Sequence, residues 1–459
     1  MSTMSTARSW GNAWGACVWW LGGAAAVAAL SWRASSTILL PLAGLAFAIT
    51  LLVVANYPEL SMLLYFIPGK IGFEERLELH WGISANQIFQ ALFALVLLLA
   101  LARRPQRPCF PRITLGFTAG LCALMLVGLA YTDNVAYGAF KALSYALLVV
   151  PCVVFLGLHV DRPLLLRRFL LFFAGIALGM MLLGLRNLGT LEQGHRLAVF
   201  GGGANVYSRM LGSGLLLLLM FAVMLRRSGH AASAWVLAML LGPGFLVTMY
   251  FAGSKGPMLA LLLSALFFAA LHGRLRRTLF IVLVVGVGFV AARQGSRSFD
   301  DAVEMVSVSR LFLNPKAEIS YGSYGSRVDF YKYSAERLSE QPLVGVGTGA
   351  WGSRRTLFED YSYPHNLFVE LACELGLVGL AVIGAYCGWL ALQTRRLLQR
   401  MRQSEHYVVI TGLCACLLFW FLNVQVSGDV VDNRNLWIFA ALTEVAARFS
   451  GHQAAEGEG

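Results

Sequence analysis

The side chains best suited to chemistry gather between Gly325 and Gly379, in GSRVDFYKYSAERLSEQPLVGVGTGAWG and then YSYPHNLFVELACELGLVGL. His365 stands between Pro364 and Asn366. With an unperturbed pKa of about 6.5, a histidine can take a proton at neutral pH. The competing reading is that His365 only caps or hydrogen-bonds the entry of the helix that follows. Glu370 and Glu374 lie in the first turns of that helix; Glu374 reads as an ion-pair or packing residue before it reads as an acid. A second set of side chains consists of cations and an amide at helix ends: Lys141, Arg196, Asn205, Arg209, Lys255, Arg327 and Arg434. Singly, each can snorkel or neutralise Asp133, Asp429 or Asp432. Together, beside apolar sequence where an unpaired charge is costly, they read as a site for an anion. Arginine forks suit phosphate oxygens, and lysine adds a point charge.

The elements that position these groups can be read next. Val328, Tyr331, Ala335 and Leu338 recur at helical spacing and predict a helix with that face inward. Ser326 reads as its N-cap, with Asp329 three residues on, and Pro342 closes it. Gly345, Gly347 and Gly349 then allow tight turns. The triplet resembles a phosphate loop, but no βαβ unit surrounds it. A further helix is expected over Ser298–Phe312, opened by Ser298 and Asp300-Asp301, with Ala302, Val303, Val306 and Leu311 against the membrane or the bundle.

Around this stretch the chain is oily. Of 459 residues, 58% are hydrophobic and 13% charged, about half the charge of a soluble domain, and mean hydropathy is +0.67. Runs near 14–30, 37–56, 86–102, 113–131, 140–158, 167–187, 206–225, 234–252, 257–272, 278–293, 366–393, 407–425 and 435–448 are candidate spans, giving about 12 to 14 transmembrane helices. The expected fold is therefore an all-α polytopic membrane protein with one large, partly helical loop. It divides into N-terminal helices (1–293), the loop (294–364), C-terminal helices (365–448) and a polar cytoplasmic tail (449–459), frayed from His452 to Gly459. Arg8 precedes the first run without a convincing cleavage site, so that run reads as a helix and not as a removed signal peptide.

Arginine clusters at 103–107, 162–168, 226–227, 274–277 and 395–402 fall on one side, which the positive-inside rule makes cytoplasmic. The loop and the connections near 132–139, 188–205, 253–256 and 426–434 then share the outer side; the side of the N-terminus stays open. The net charge of +12 lies in these clusters, which argues against nucleic-acid binding. The eight cysteines are scattered in or beside apolar runs, and Cys414 and Cys416 lack metal spacing. Gly116 and Gly120 have helix-packing spacing. No serine elbow, HExxH motif or paired acidic cluster is present, so no metal and no cofactor are expected.

These motifs resemble a known family. Arg327…Pro342…Gly345-x-Gly347-x-Gly349, Pro364-His365-Asn366-x-x-x-Glu370 and Glu374-x-Gly376-x-x-Gly379 look like the signature of the O-antigen ligase/polymerase superfamily. RLAVFGGGAN, from Arg196 to Asn205, and Ser254-Lys255-Gly256 resemble two upstream segments of that family, with lysine in place of the usual arginine at 255. The resemblance covers roughly residues 190 to 440. It implies a GT-C-like glycosyltransferase of the bacterial inner membrane, active on the periplasmic side without nucleotide sugar or metal. Its donor would be a glycan on undecaprenyl pyrophosphate. The acceptor would be a sugar hydroxyl of another glycan or of lipid A-core, with other polysaccharide-assembly proteins as further partners.

On that resemblance His365 would be the base or would align the acceptor. Arg196, Lys255, Arg327 and Arg209 would hold the pyrophosphate. Asn205, Asn366, Glu370, Glu374, Lys141 and Arg434 would support them. YPHNLFVE and DNRNLW resemble capsular and exopolysaccharide polymerases, which favours polymerase over ligase. A transferase acting on protein is a third member of the group. The reading from another class is a transporter, which should show repeated halves and broken helices at the midplane; no internal repeat is visible.

Overall fold

The computed structural model describes residues 109–191, 196–199, 203–274, 276, 323–353 and 363–457, and every described element is helical. The runs expected at 14–30, 37–56, 86–102 and 278–293, the helix expected at 298–312 and the cluster at 103–107 lie outside the described residues, and so does the total of 12 to 14 spans. In chain order the helices are α1 (Arg112–Gly128), α2 (Val135–Leu148), α3 (Val150–His159), α4 (Pro163–Asn187), α5 (Ala204–Arg227), α6 (Ala231–Ala252), α7 (Lys255–Leu271), α8 (Ser323–Glu340), α9 (Leu367–Arg400), α10 (Tyr407–Asn423) and α11 (Arg434–Gly457). Among the described residues, five stretches are long and apolar enough to cross a membrane: α2 with α3, then α4, α5, α6 and α9. At 17 residues each, α1, α7 and α10 reach about 25 Å.

Burial separates the inner helices from the outer ones. In α5 every residue from Tyr207 to Leu218 is buried, and α10 is buried along most of its length. Helices apolar on all sides belong in the middle of a bundle. By contrast α6 exposes Met239 and Leu240, and α2 exposes Phe140 and Leu147. Such apolar surface suits lipid and would be a liability in water. Glu444, deep in α11, accepts the N–H groups of Ile113 and Thr114 at 3.1 and 2.9 Å, satisfying the start of α1. Among the described residues, a Cβ on Gly116 or Gly120 would meet nothing within 4 Å. The tail is not frayed backbone, since α11 stays helical through Gly457.

One feature breaks the regular pattern. The apolar run beginning at 366 reads as one helix, yet α9 is interrupted at Gly376, with φ 66° and ψ −161°. This leaves two carbonyls of its first segment without helical partners, and the glycine loop supplies them. Val346 N–H donates to Cys373 O at 2.9 Å, and Gly347 N–H to Glu374 O at 3.1 Å. Beyond the break, Leu377 N–H bonds Pro342 O at 2.8 Å. Gly345, Gly347 and Gly349 all have positive φ. A Cβ on Gly345 would stand 2.5 Å from the Gly376 nitrogen, so only glycine fits. On its other side the loop is held by Thr132 Oγ1 donating to Thr348 O at 2.8 Å. The loop is thus a wedge between α1, α2 and α9, and the amides of Val346, Gly347 and Thr348 serve the helix carbonyls of Cys373, Glu374 and Gly128.

Candidate active site

α8 begins at Ser323, so Ser326 is inside the helix and not its N-cap. The buried face is also not the predicted one. Phe330, Ser334 and Arg337 point inward, while Tyr331 and Ala335 are exposed and Val328 and Leu338 half-buried. Ser334 Oγ accepts from Trp351 Nε1 at 2.8 Å, and Ser334 O from Cys373 Sγ at 3.2 Å. Arg337 Nη2 donates to Ala350 O at 3.1 Å, and Nη1 pairs with Glu340 at 2.6 Å. Hydrogen bonds allow this polar face to be buried. They fix α8 against the first segment of α9, and with it the place of Arg327.

Asn366 is the N-cap of α9. Its Oδ1 accepts from Phe368 and Val369 N–H at 3.0 and 3.1 Å, and its Nδ2 donates to Gln425 O at 3.0 Å. His365 therefore sits just outside a tightly held helix start. It has φ 58°, alone among the described non-glycine residues in that region. Such a conformation costs on the order of 1–3 kcal/mol and recurs at functional sites. The ring lies between Phe330, 5.9 Å away, and Tyr363, 4.7 Å away and edge-on. Burial pushes its pKa down to about 4, assisted by the Arg327 and Arg209 guanidiniums and opposed by Asp432. Burial likewise lowers the Arg327 pKa and raises that of Tyr363. Both arginines are thus within electrostatic reach of the imidazole.

Arg209, on α5, is 2% exposed. Its Nη1 donates to Asn433 Oδ1 at 3.2 Å, whereas its buried Nε finds no partner among the described residues. Gly428, with φ 79°, lies against the guanidinium: a Cβ there would come within 3.2 Å of both terminal nitrogens. One turn before Arg209 on α5 is Asn205, which opens a second group. Arg196 donates to Ala252 O at 3.0 Å, Ser254 Oγ at 2.7 Å and Asn205 Oδ1 at 3.4 Å. Ser254 Oγ donates to Asn205 Oδ1 at 2.9 Å, and Asn205 Nδ2 to Ser427 Oγ at 3.3 Å. Lys255 follows Ser254 as the first residue of α7. Ser427 and Gly428 thereby join the two groups into one surface at one end of the bundle.

Lys141 does not belong to that surface. Its Nζ is 2.8 Å from both carboxylate oxygens of Glu374 and also contacts Glu370, all three residues being at most 2% exposed. Two carboxylates take up its charge, so Lys141, Glu370 and Glu374 form a buried ion cluster and do not face an anion. Arg434 opens α11, half-buried and next to Asn433. Sequence reasoning missed Tyr363, Gly428 and Asn433. The signal for Asn433 was present in DNRNLW; for Gly428 there was none.

Compared with known proteins, no curated protein matches the chain. Residues 238–384, about a third of the chain, match the family model described as O-antigen ligase. The match takes in Lys255, Arg327, the glycine wedge, His365 and the break at Gly376, while Arg196, Asn205, Arg209 and the 424–434 segment reach the same surface from outside it. Residues 238–384 of this multi-pass helical chain thus match the O-antigen ligase family, which supports the O-antigen ligase/polymerase superfamily that its motifs resemble.

Proposed function

We propose that the protein transfers a glycan from undecaprenyl pyrophosphate to an acceptor sugar hydroxyl at the periplasmic face of a bacterial inner membrane. The observation that carries this reading is a histidine held with positive φ within reach of two half-buried or buried guanidiniums. The acceptor oxygen forms the new glycosidic bond as the bond from the sugar carbon to the pyrophosphate oxygen breaks. The hydroxyl proton passes to a ring nitrogen of His365. The carrier departs as the pyrophosphate anion, whose growing charge Arg209 and Arg327 meet, with Arg196 and Lys255 along the same surface. Because pyrophosphate is already a good leaving group, positioning, cations and one base suffice.

Within this chemistry the YPHNLFVE and DNRNLW segments favour a polymerase, which joins repeat units from one carrier to another. The description of the matched family favours a ligase, which moves the finished chain to lipid A-core. Deleting the gene and running the surface glycan on a gel separates the two. One repeat unit on the lipid core marks a lost polymerase; full-length chains stranded on the carrier mark a lost ligase. Unaltered glycan overturns both.

The low pKa of His365 gives a second expectation. In the free protein the imidazole is neutral down to about pH 4. A bound pyrophosphate offsets the guanidinium fields, so the pKa rises part of the way towards about 6.5 while burial persists. The acid limb of kcat/KM, which reports the free enzyme, should therefore lie nearer pH 4 than that of kcat. Transfer rates measured across the acid range check this. Coincident limbs would remove the arginines from the neighbourhood of the base, and limbs near pH 6.5 would contradict its burial as well.

A further inference from the structure

The buried ion cluster of Lys141 has no part in the transfer step as written, and its placement assigns it another task. One ammonium group meets two carboxylates in the interior, where unmatched charge is expensive and survives only with good geometry. Glu370 spends its Oε1 a second time, accepting the Val430 N–H at 3.3 Å. Val430 lies in the segment from Gly428 to Asn433, where Asn433 accepts from the Arg209 guanidinium and a Cβ on Gly428 would stand 3.2 Å from its terminal nitrogens. One turn before Lys141 on α2, Tyr137 donates from its hydroxyl to Asp429 Oδ2 in the same segment, at 3.5 Å. Glu374 closes the arrangement: its side chain takes Lys141 while its carbonyl takes the amide of Gly347.

We propose that Lys141 is a positioning residue. Its charge keeps Glu370 aimed at the Val430 amide, and so sets the 428–433 segment in the register that presents Arg209 to a diphosphate. This rests on the transferase reading only for what Arg209 holds; the positioning itself can be read without activity. Lys141 touches no reacting atom, so its loss should be felt only through Arg209, in the donor KM as well as in the chemical step. A purely structural lysine would lower the amount of folded protein and leave the kinetic constants of the remainder unchanged.

The test uses the full chain in membranes, with a synthetic polyprenyl-pyrophosphate oligosaccharide as donor. Lys141→Met should raise the donor KM about tenfold or more, the scale of a lost charge-assisted contact, and leave the acceptor KM unchanged. Lys141→Met with Glu370→Gln and Glu374→Gln leaves no charge in the cluster, so it should fold even where the single variant does not, and it should keep a raised donor KM. Independently of activity, Val431→Cys reports on the segment. An impermeant maleimide should label it several-fold faster when Lys141 is Met. Unchanged labelling together with an unchanged donor KM in the neutral triple variant would overturn the proposal. Wild-type protein that transfers nothing, with labelling that still responds to Lys141, would overturn the transferase reading and leave the positioning intact.

Discussion

His365→Ala is expected to lower glycan transfer by about 10²- to 10⁴-fold, the range for a lost general base, while the protein inserts in normal amounts. The reason is position as much as residue type. The imidazole is set outside the N-cap of α9 by Asn366, which is bonded to the helix start and to Gln425. It is flanked by Phe330 and Tyr363. Two further substitutions separate chemistry from strain. Glycine accepts φ 58° freely, so His365→Gly should be at least as stable as the wild type and as inactive as the alanine variant. Asparagine also tolerates that conformation and can hydrogen-bond an acceptor hydroxyl, but it cannot take the proton. Residual transfer by His365→Asn well above that of alanine would make the histidine an aligning group, and wild-type product from His365→Ala would remove it from the mechanism. Transfer followed with a labelled donor, beside immunodetection of inserted protein, gives all three answers.

Much of this arrangement was legible before any coordinates. Apolar run length located the starts of the described spans to within about five residues, because in lipid every backbone group must be satisfied inside a helix, while α9 and α11 run on to Arg400 and Gly457, past the expected ends at 393 and 448. Arginine alternation sorted the connections into two ends, and those assigned to one side do meet: Asn205 reaches Ser427, Tyr137 reaches Asp429, and Arg196 reaches Ser254. What failed was anything that depends on a partner remote in sequence. Lys141 looked like an anion-facing cation because Glu374, which neutralises it, lies 233 residues away. The inner face of α8 was misassigned for a related reason. In water an apolar stripe must face protein, whereas near a bilayer it has two apolar destinations. Here the protein takes the face with Phe330, Ser334 and Arg337, whose polar atoms find hydrogen bonds on Trp351, Ala350 and Glu340. The break in α9 was hidden because the apolar pattern around Gly376 continues on both sides of it. Only the closely docked 342–349 loop makes a positive φ there favourable.

Arg209→Met should reduce kcat/KM by about 10²- to 10³-fold, comparable to losing one preorganised donor to a developing anion. Among the basic residues of the site it is the most buried, at 2% exposure. Its bond to Asn433 leaves the Nε unpartnered among the described residues, and a buried donor without a partner is costly unless a ligand supplies one. Methionine has similar length and no charge. It leaves Asp432, which is exposed, to water, so the fold should tolerate the change. Arg209→Lys keeps the charge but loses the planar fork and should fall between the wild type and Arg209→Met, with its deficit in both kcat and the donor KM. Arg196 offers the contrast. It is exposed and already donates to Ala252, Ser254 and Asn205, so its guanidinium is committed to holding three segments together. Arg196→Gln should act mainly on the donor KM, and by a smaller factor than Arg209→Met. Steady-state kinetics on the two variants ranks them, and equal losses in kcat would mean that burial does not single out the arginine meeting the departing pyrophosphate.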